Sequence, residues 1–178
     1  MANAWIELHH AFVRGDLEEI RRRIGPAVPA FPNGPGPSLA VGRIVLQYAI
    51  YHSPLAMIAE LLAAGADANY PDHAGFPALI TALSTNRPER RDILILLLAG
   101  GADPNQRGVN DLTPLHYAAG RDDIQAMQLL LDHGADRDAR ARVDDFETAL
   151  DVAQRAAARK AIALLQSLAE EPVARERR

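Results

Sequence analysis

A Leu-x-x-Ala tetrad recurs at Leu8/Ala11, Leu46/Ala49, Leu79/Ala82, Leu115/Ala118 and Leu150/Ala153, with start-to-start gaps of 38, 33, 36 and 35 residues. A period in the thirties describes one small supersecondary unit stacked on copies of itself. No such unit can bury its apolar face alone, so neighbours share the core and the product is an elongated surface.

The rest of the unit follows from what surrounds each tetrad. Before Gly65, Gly101 and Gly134, apolar residues recur seven, four and three positions earlier, as Ile58/Leu61/Leu62, Leu94/Leu97/Leu98 and Met127/Leu130/Leu131. That spacing predicts a second helix with one buried face, ended by a glycine free to take a left-handed cap. Ala-Asp follows each glycine, at Ala66-Asp67, Ala102-Asp103 and Ala135-Asp136. An Asp just past a helix end suits a turn in which its carboxylate accepts from nearby amides. The first helix is clearest at Thr113-Pro114-Leu115-His116-Tyr117-Ala118-Ala119. Threonine can cap it, and proline at the first helical position gives up only a donor that was unpaired anyway. Leu115 and Ala118 then face inward one turn apart, the small Ala letting the next helix approach.

On these residues the chain resembles the ankyrin-repeat family. The resemblance is carried by Thr113-Pro114-Leu115-His116-x-Ala118-Ala119, by Thr148-Ala149-Leu150-Asp151-x-Ala153, and by the three Gly-Ala-Asp segments with Asn69, Asn105 and Asp138 two places on. Leu115 to Gly134 and Leu46 to Gly65 are both 19 residues apart, and several linked motifs in register are far more specific than one. The resemblance implies an all-α solenoid of about five stacked helix-turn-helix units with short β-hairpin-like finger loops. Its repeats are expected at about 4–24, 38–67, 72–103, 108–136 and 143–168, within one domain spanning 1–169. In the family the histidine of Thr-Pro-Leu-His is structural, so His116 is expected to bond to Thr113 and to neighbouring loop backbone.

Departures from the pattern carry their own expectations. Ile44-Val45-Leu46-Gln47 lacks both the capping threonine and the histidine, so that repeat is expected to be held by packing. Leu79 to Gly101 is 22 residues, and the excess falls in Ser84 to Arg91, predicting an enlarged turn between the paired helices. The Pro/Gly-rich segment 25–37 cannot continue a helix and is read as a loop replacing the first finger. The first copy keeps Ile20 and Ile24 as apolar positions, with Arg21, Arg22 and Arg23 partly toward solvent. The last copy places Ile162, Leu164, Leu165 and Leu168 inward and Arg155, Arg159 and Lys160 outward, and residues 170–178, without apolar pattern, are expected to fray.

Composition excludes several classes. A net charge of −4 with short, terminal basic clusters does not suit a nucleic-acid footprint. The longest strongly apolar run, Ile93 to Ala99, falls far short of the about 20 residues that span a bilayer. No cysteine is present, and residues 1–7 lack the basic start and apolar stretch of a signal peptide, so a monomeric cytoplasmic protein is expected.

Chemistry finds little support. His9, His10, His52, His73, His116 and His133 form no i, i+4 pair of the kind zinc sites use. His133, before a helix-ending glycine, suits the negative end of the helix dipole. Asp122/Asp123 and Asp144/Asp145 fall in a helix-helix turn and a finger, with Asp123 read as a cap for the following helix. Neither a cofactor nor a metal is expected, and no catalytic residue is assigned.

Recognition of a protein partner remains. By the resemblance, fingers and the exposed face of the first helices line a concave groove. The third finger would present Tyr70, His73 and Phe76; the fourth, Arg107, Asn110 and Leu112; the fifth, Asp144, Asp145 and Phe146. The first helices would add Tyr51, His52, Ser84, Tyr117, Arg121 and Arg155. Phe146 stands where the family usually has glycine. An adaptor or regulatory subunit is the expected function. The alternatives are a small enzyme or metal-binding protein using finger His and Asp residues, and a host-directed or toxin-neutralising protein, since the Ala- and Arg-rich composition resembles that of a GC-rich bacterium.

Overall fold

The computed structural model describes residues 2–24, 31–33, 45–70, 76–142 and 146–170. Five antiparallel helical pairs follow one another: α1 (Ala2–Arg14) with α2 (Leu17–Ile24), α3 (Val45–His52) with α4 (Leu55–Ala63), α5 (Ala78–Ser84) with α6 (Arg90–Ala99), α7 (Pro114–Gly120) with α8 (Ile124–Asp132), and α9 (Ala149–Arg155) with α10 (Arg159–Glu170). A 3-10 turn, Val109–Asp111, precedes α7. The odd-numbered helices pack in chain order as one layer, α1 on α3 on α5 on α7 on α9, and the even-numbered helices as a second. The array is therefore an open stack of hairpins, all helical among the described residues.

The tetrads build the inner layer. Ala11, Ala49, Ala82, Ala118 and Ala153 are all fully buried, as are Leu8, Leu46, Leu79 and Leu115 within a few per cent. Leu150 is only half-buried, because α9 belongs to the last described pair and has a neighbour on one side only. In the outer layer Ile58, Leu61, Leu94, Leu97, Met127 and Leu130 are sealed, while Leu62 and Leu131 lie at the margin. Ala161 and Leu165 form the buried edge of α10, with Ala158 buried just ahead of it; the expected Ile162, Leu164 and Leu168 are half-covered, and Arg155, Arg159 and Lys160 point outward. Gly15, Gly65, Gly101 and Gly134 end their helices at φ +73, +90, +86 and +87.

Four rows of polar contacts run across the stack. The first is a ladder of asparagines. Asn69 Nδ2 donates to Gly101 O at 2.8 Å while its Oδ1 accepts from Asp103 N at 2.7 Å. Asn105 does the same to Gly134 O and Asp136 N. Asn33 repeats it on Gly65 O and Asp67 N. Asp67, Asp103 and Asp136 each accept from the amide two residues on, the turn expected of an Asp past a helix end.

The second row joins two of the first helices, α3 and α7, to the carbonyl at the entry of the next. His116 Nδ1 sits 2.8 Å from Thr113 Oγ1, and its Nε2 donates to Glu147 O at 3.1 Å. Gln47, in the same register, donates from Nε2 to Phe76 O at 3.1 Å. This corrects the expectation that the second repeat is held by packing: a side-chain amide reaches the same backbone acceptor that an imidazole reaches elsewhere. In the third repeat Ile80 occupies the register and is fully buried.

A third row closes the far ends of the first helices. Arg87 Nη1 donates to Ile50 O and Arg121 Nη1 to Leu83 O, both at 2.9 Å, satisfying carbonyls that a helix terminus leaves unpaired. The fourth caps second helices. Asp123 accepts from Ala126 N at 3.1 Å, as expected, and Asp122 accepts from Ala161 N at 2.8 Å in the next pair. The enlarged turn is present at 85–89, five residues against three at 121–123. Glu170 is the last residue of α10. Most of the Pro/Gly-rich segment 25–37 and residues 171–178 lie outside the described residues.

Candidate interaction surface

The surface is made of loops that precede the odd-numbered helices and of the outward side of those helices. The fourth finger folds on itself: Gly108 N donates to Leu112 O at 2.9 Å, and Asn110 and Asp111 both adopt φ +58 to turn the chain. In the fifth, Ala141 N donates to Glu147 O at 2.9 Å. The two are then tied together. Arg107 Nη1 donates to Arg140 O at 2.7 Å, Arg142 N to Asn110 O at 2.9 Å, and Arg142 pairs with Asp111 at 2.7 Å. A fold held this way is already organised before any partner arrives, which lowers the ordering cost of binding.

The expected binding residues divide by what their side chains already do. Arg107 is engaged with Arg140 O and Asp111 O, Arg121 with Leu83 O, and Arg155 grips Glu147 through two bonds of 2.8 and 2.9 Å. That arginine holds the Glu147 carboxyl below its ordinary range. Ser84 donates to Ile80 O within its own helix. Tyr117 is half-buried, and burial first, then the charge of Tyr51, pushes its hydroxyl pKa upward. His52 packs in an imidazole and phenol cluster, edge-on to His9 (ring centroids 5.2 Å apart) and tilted against Tyr48 (4.4 Å). His9 Nδ1 lies 2.8 Å from Tyr48 Oη, a link between the first two repeats. Tyr70 and Leu112 are partly covered. His73, Asp144 and Asp145 lie outside the described residues.

Apolar side chains mark the fingers. Phe76 is 37 % exposed, Val109 38 % and Phe146 62 %, one from each of three successive fingers. Phe146 holds φ +61, a left-handed conformation that costs a bulky residue about 1–2 kcal/mol. Among the described residues no group of three or more His, Cys, Asp or Glu is placed to hold a metal ion. None of their helices is long and apolar enough to cross a membrane.

A family model of ankyrin repeats in three copies matches residues 89–175, and one of ankyrin repeats in many copies matches residues 46–98. The chain belongs to the ankyrin-repeat family. It is 40 % identical over 97 residues to an ankyrin repeat-containing protein of Treponema pallidum, covering 54 % of this chain and 32 % of that one. It is 34 % identical over 96 residues to an ankyrin repeat protein of Rickettsia felis, covering 54 % and 25 %. This chain thus spans a third or less of the length of either relative. Ankyrin repeats are in general protein-protein interaction modules, typically without enzymatic activity. The first helical pair, α1 and α2, precedes both matched segments, yet packs on the second as a further ankyrin-type hairpin.

Sequence reasoning missed several residues of this ankyrin-repeat stack. Val109 went unmarked although it neighbours Asn110. Asn33 lies 36 positions before Asn69, as Asn69 lies before Asn105, so the register could have found it inside the Pro/Gly-rich segment. Gln47 shares the register of His116. His9 also follows its tetrad leucine directly, the register of Gln47 and His116, but it meets the Tyr48 hydroxyl, a partner that the register does not name.

Proposed function

We propose that the chain is a non-enzymatic recognition module, an adaptor or regulatory subunit, that docks a folded protein on its finger and inner-helix surface. The observation that carries this reading is the row Phe76, Val109 and Phe146, exposed from three successive fingers, two of which are locked together by Arg107, Arg142 and Asp111. Exposed aromatic and aliphatic side chains on a rigid frame are what interface anchors consist of. Tyr117 and Tyr51 extend the contact down the inner helices, and Asn110, Leu112, Tyr70 and Arg155 form its rim. We further propose one elongated domain through residue 169, acting as a cytoplasmic monomer, with a protein as its partner and neither nucleic acid nor cofactor required.

The test is affinity purification with mass spectrometry on three forms: wild type, Val109→Ser with Phe146→Gly, and Ile95→Ser on the opposite layer. Partners kept by Ile95→Ser and lost by the finger double variant, with helical circular dichroism unchanged in all three, support the reading. Equal capture by all three forms overturns it.

A further inference from the structure

The three residues inserted into the third repeat do more than lengthen a turn. They open a cleft of about 320 Å³ between the start of α6 and the start of α8, on the side of the stack away from the fingers. Its lining brings together Arg87, Arg90 and Arg91 against one carboxylate, Asp123, in a chain whose net charge is −4. Two of the three guanidinium groups are fixed as walls. Arg87 donates to Ile50 O and faces Glu89 at 3.5 Å; Arg90 pairs with Asp123 at 2.5 Å and donates to Thr85 O at 3.3 Å. Arg91 has no hydrogen bond or ion pair among the described residues and is exposed at the rim. Gln125 lines the cleft from α8, adding an amide donor.

The cleft continues. A second depression of about 310 Å³ shares Arg91 and Gln125 with the first and runs along α8 past Gln128 and Leu129 to Asp132. The pair therefore form a groove with a cationic head, a polar and apolar middle, and an acid at the far end.

We propose that the head of this groove binds a phosphate monoester, with Arg91 and Gln125 as its direct partners and the ion-paired Arg90 and Arg87 as its fixed walls. Arginine presents forked donors that match phosphate oxygens, and Arg91 is the one lining guanidinium not already paired with a carboxylate among the described residues. The space exceeds a phosphate group, so the molecule carrying the ester enters as well. Such an ester could come from a phosphorylated side chain of a protein or from a free small phosphate ester. The site is separate from the finger surface and does not depend on partner docking there.

The test follows backbone amide NMR shifts of the full chain on titration, at matched ionic strength, with capped phosphoserine, with a phosphoserine hexapeptide otherwise of alanine, and with the same hexapeptide carrying serine. The proposal expects saturable shifts centred on residues 85–91 and 123–126, with Kd on the order of millimolar for capped phosphoserine, and none with the serine peptide. Arg91→Ala and Gln125→Ala should each weaken binding, the first at least tenfold, with Arg91→Lys intermediate and the spectrum otherwise native. A hexapeptide at least tenfold tighter than capped phosphoserine assigns the source to a protein; equal affinity assigns it to a free phosphate ester. Equal shifts with the serine peptide, or an Arg91→Ala titration matching wild type, overturns the proposal.

Discussion

His116 donates from Nε2 to the carbonyl of Glu147, 31 residues ahead, and so fastens α7 to the entry of α9. With Nδ1 accepting from the backbone amide of Thr113 at 3.2 Å, a neutral imidazole protonated on Nε2 satisfies both partners. His116→Ala leaves the Glu147 and Thr113 groups without that partner and opens space in the core, so it should cost about 2–3 kcal/mol in denaturant unfolding. His116→Gln should cost less, since Gln47 reaches the equivalent carbonyl in its own repeat. Burial, opposed in part by the Glu147 bond, holds the His116 pKa below its ordinary 6.5. The unfolded chain therefore takes up protons first. This residue's contribution is fully present above pH 6.5 and is lost as pH falls from there through the lowered value. Wild type should lose more stability between pH 7 and pH 5 than His116→Gln, about which equal slopes would argue against the neutral buried form.

The asparagine ladder sets the second prediction. Asn69→Ala removes two bonds to the next repeat and should lower stability by about 1–2 kcal/mol. Asp103 both donates to Asn69 and accepts from the amide of Asn105, so Asn69 and Asn105 share a residue. Their double variant should depart from additivity by about 0.5 kcal/mol or more in a double-mutant cycle. Asn33→Ala should cost about as much as Asn69→Ala by the same measurement, because it makes the same pair of bonds to Gly65 and Asp67.

The stacked fold was legible because its determinants are local and periodic. Leu115, Ala118 and the Gly-Ala-Asp turns repeat at fixed offsets, and each states a burial or a backbone angle that one residue type satisfies best. Legibility ends where one bond can be made by different chemistry: Gln47 and His116 reach equivalent carbonyls with unlike side chains. It also ends where long side chains cross between repeats. Arg107 and Arg121 read as groove residues because their Cα positions face the right way, but their guanidinium groups reach back to Arg140 O and Leu83 O. Reach of that kind depends on rotamers, which spacing does not encode.

Two adjacent glycines separate backbone strain from crowding. Gly101 sits at φ +86 with open space around an added Cβ, so Gly101→Ala should destabilise by about 1 kcal/mol through the left-handed angle alone. Gly100, at φ −79, would bring a Cβ to 3.2 Å from Leu96 O and 3.3 Å from the tip of Leu62. Leu62 is only partly buried and can shift, and alanine restricts the unfolded chain, so Gly100→Ala should lie within about 0.5 kcal/mol of wild type. Thermal unfolding of both variants checks the order; a larger loss at Gly100 would contradict it.

Phe146 combines strain with exposure, and the two can be parted. Its φ of +61 suits glycine, and the residue is 62 % exposed, so the fold gains little from the side chain. Phe146→Gly should relieve the left-handed cost, less the greater freedom glycine has when unfolded, for a net gain of about 0.5–1 kcal/mol. If the ring is an interface anchor, the same variant should lose binding to a partner of the finger surface by tenfold or more, as truncation of a central aromatic does elsewhere. Stability and affinity would then move in opposite directions in one protein, read by urea unfolding and by calorimetric titration of the purified partner. A variant that is more stable and binds as before would remove Phe146 from the interface; one that is less stable would show that its ring supports the finger.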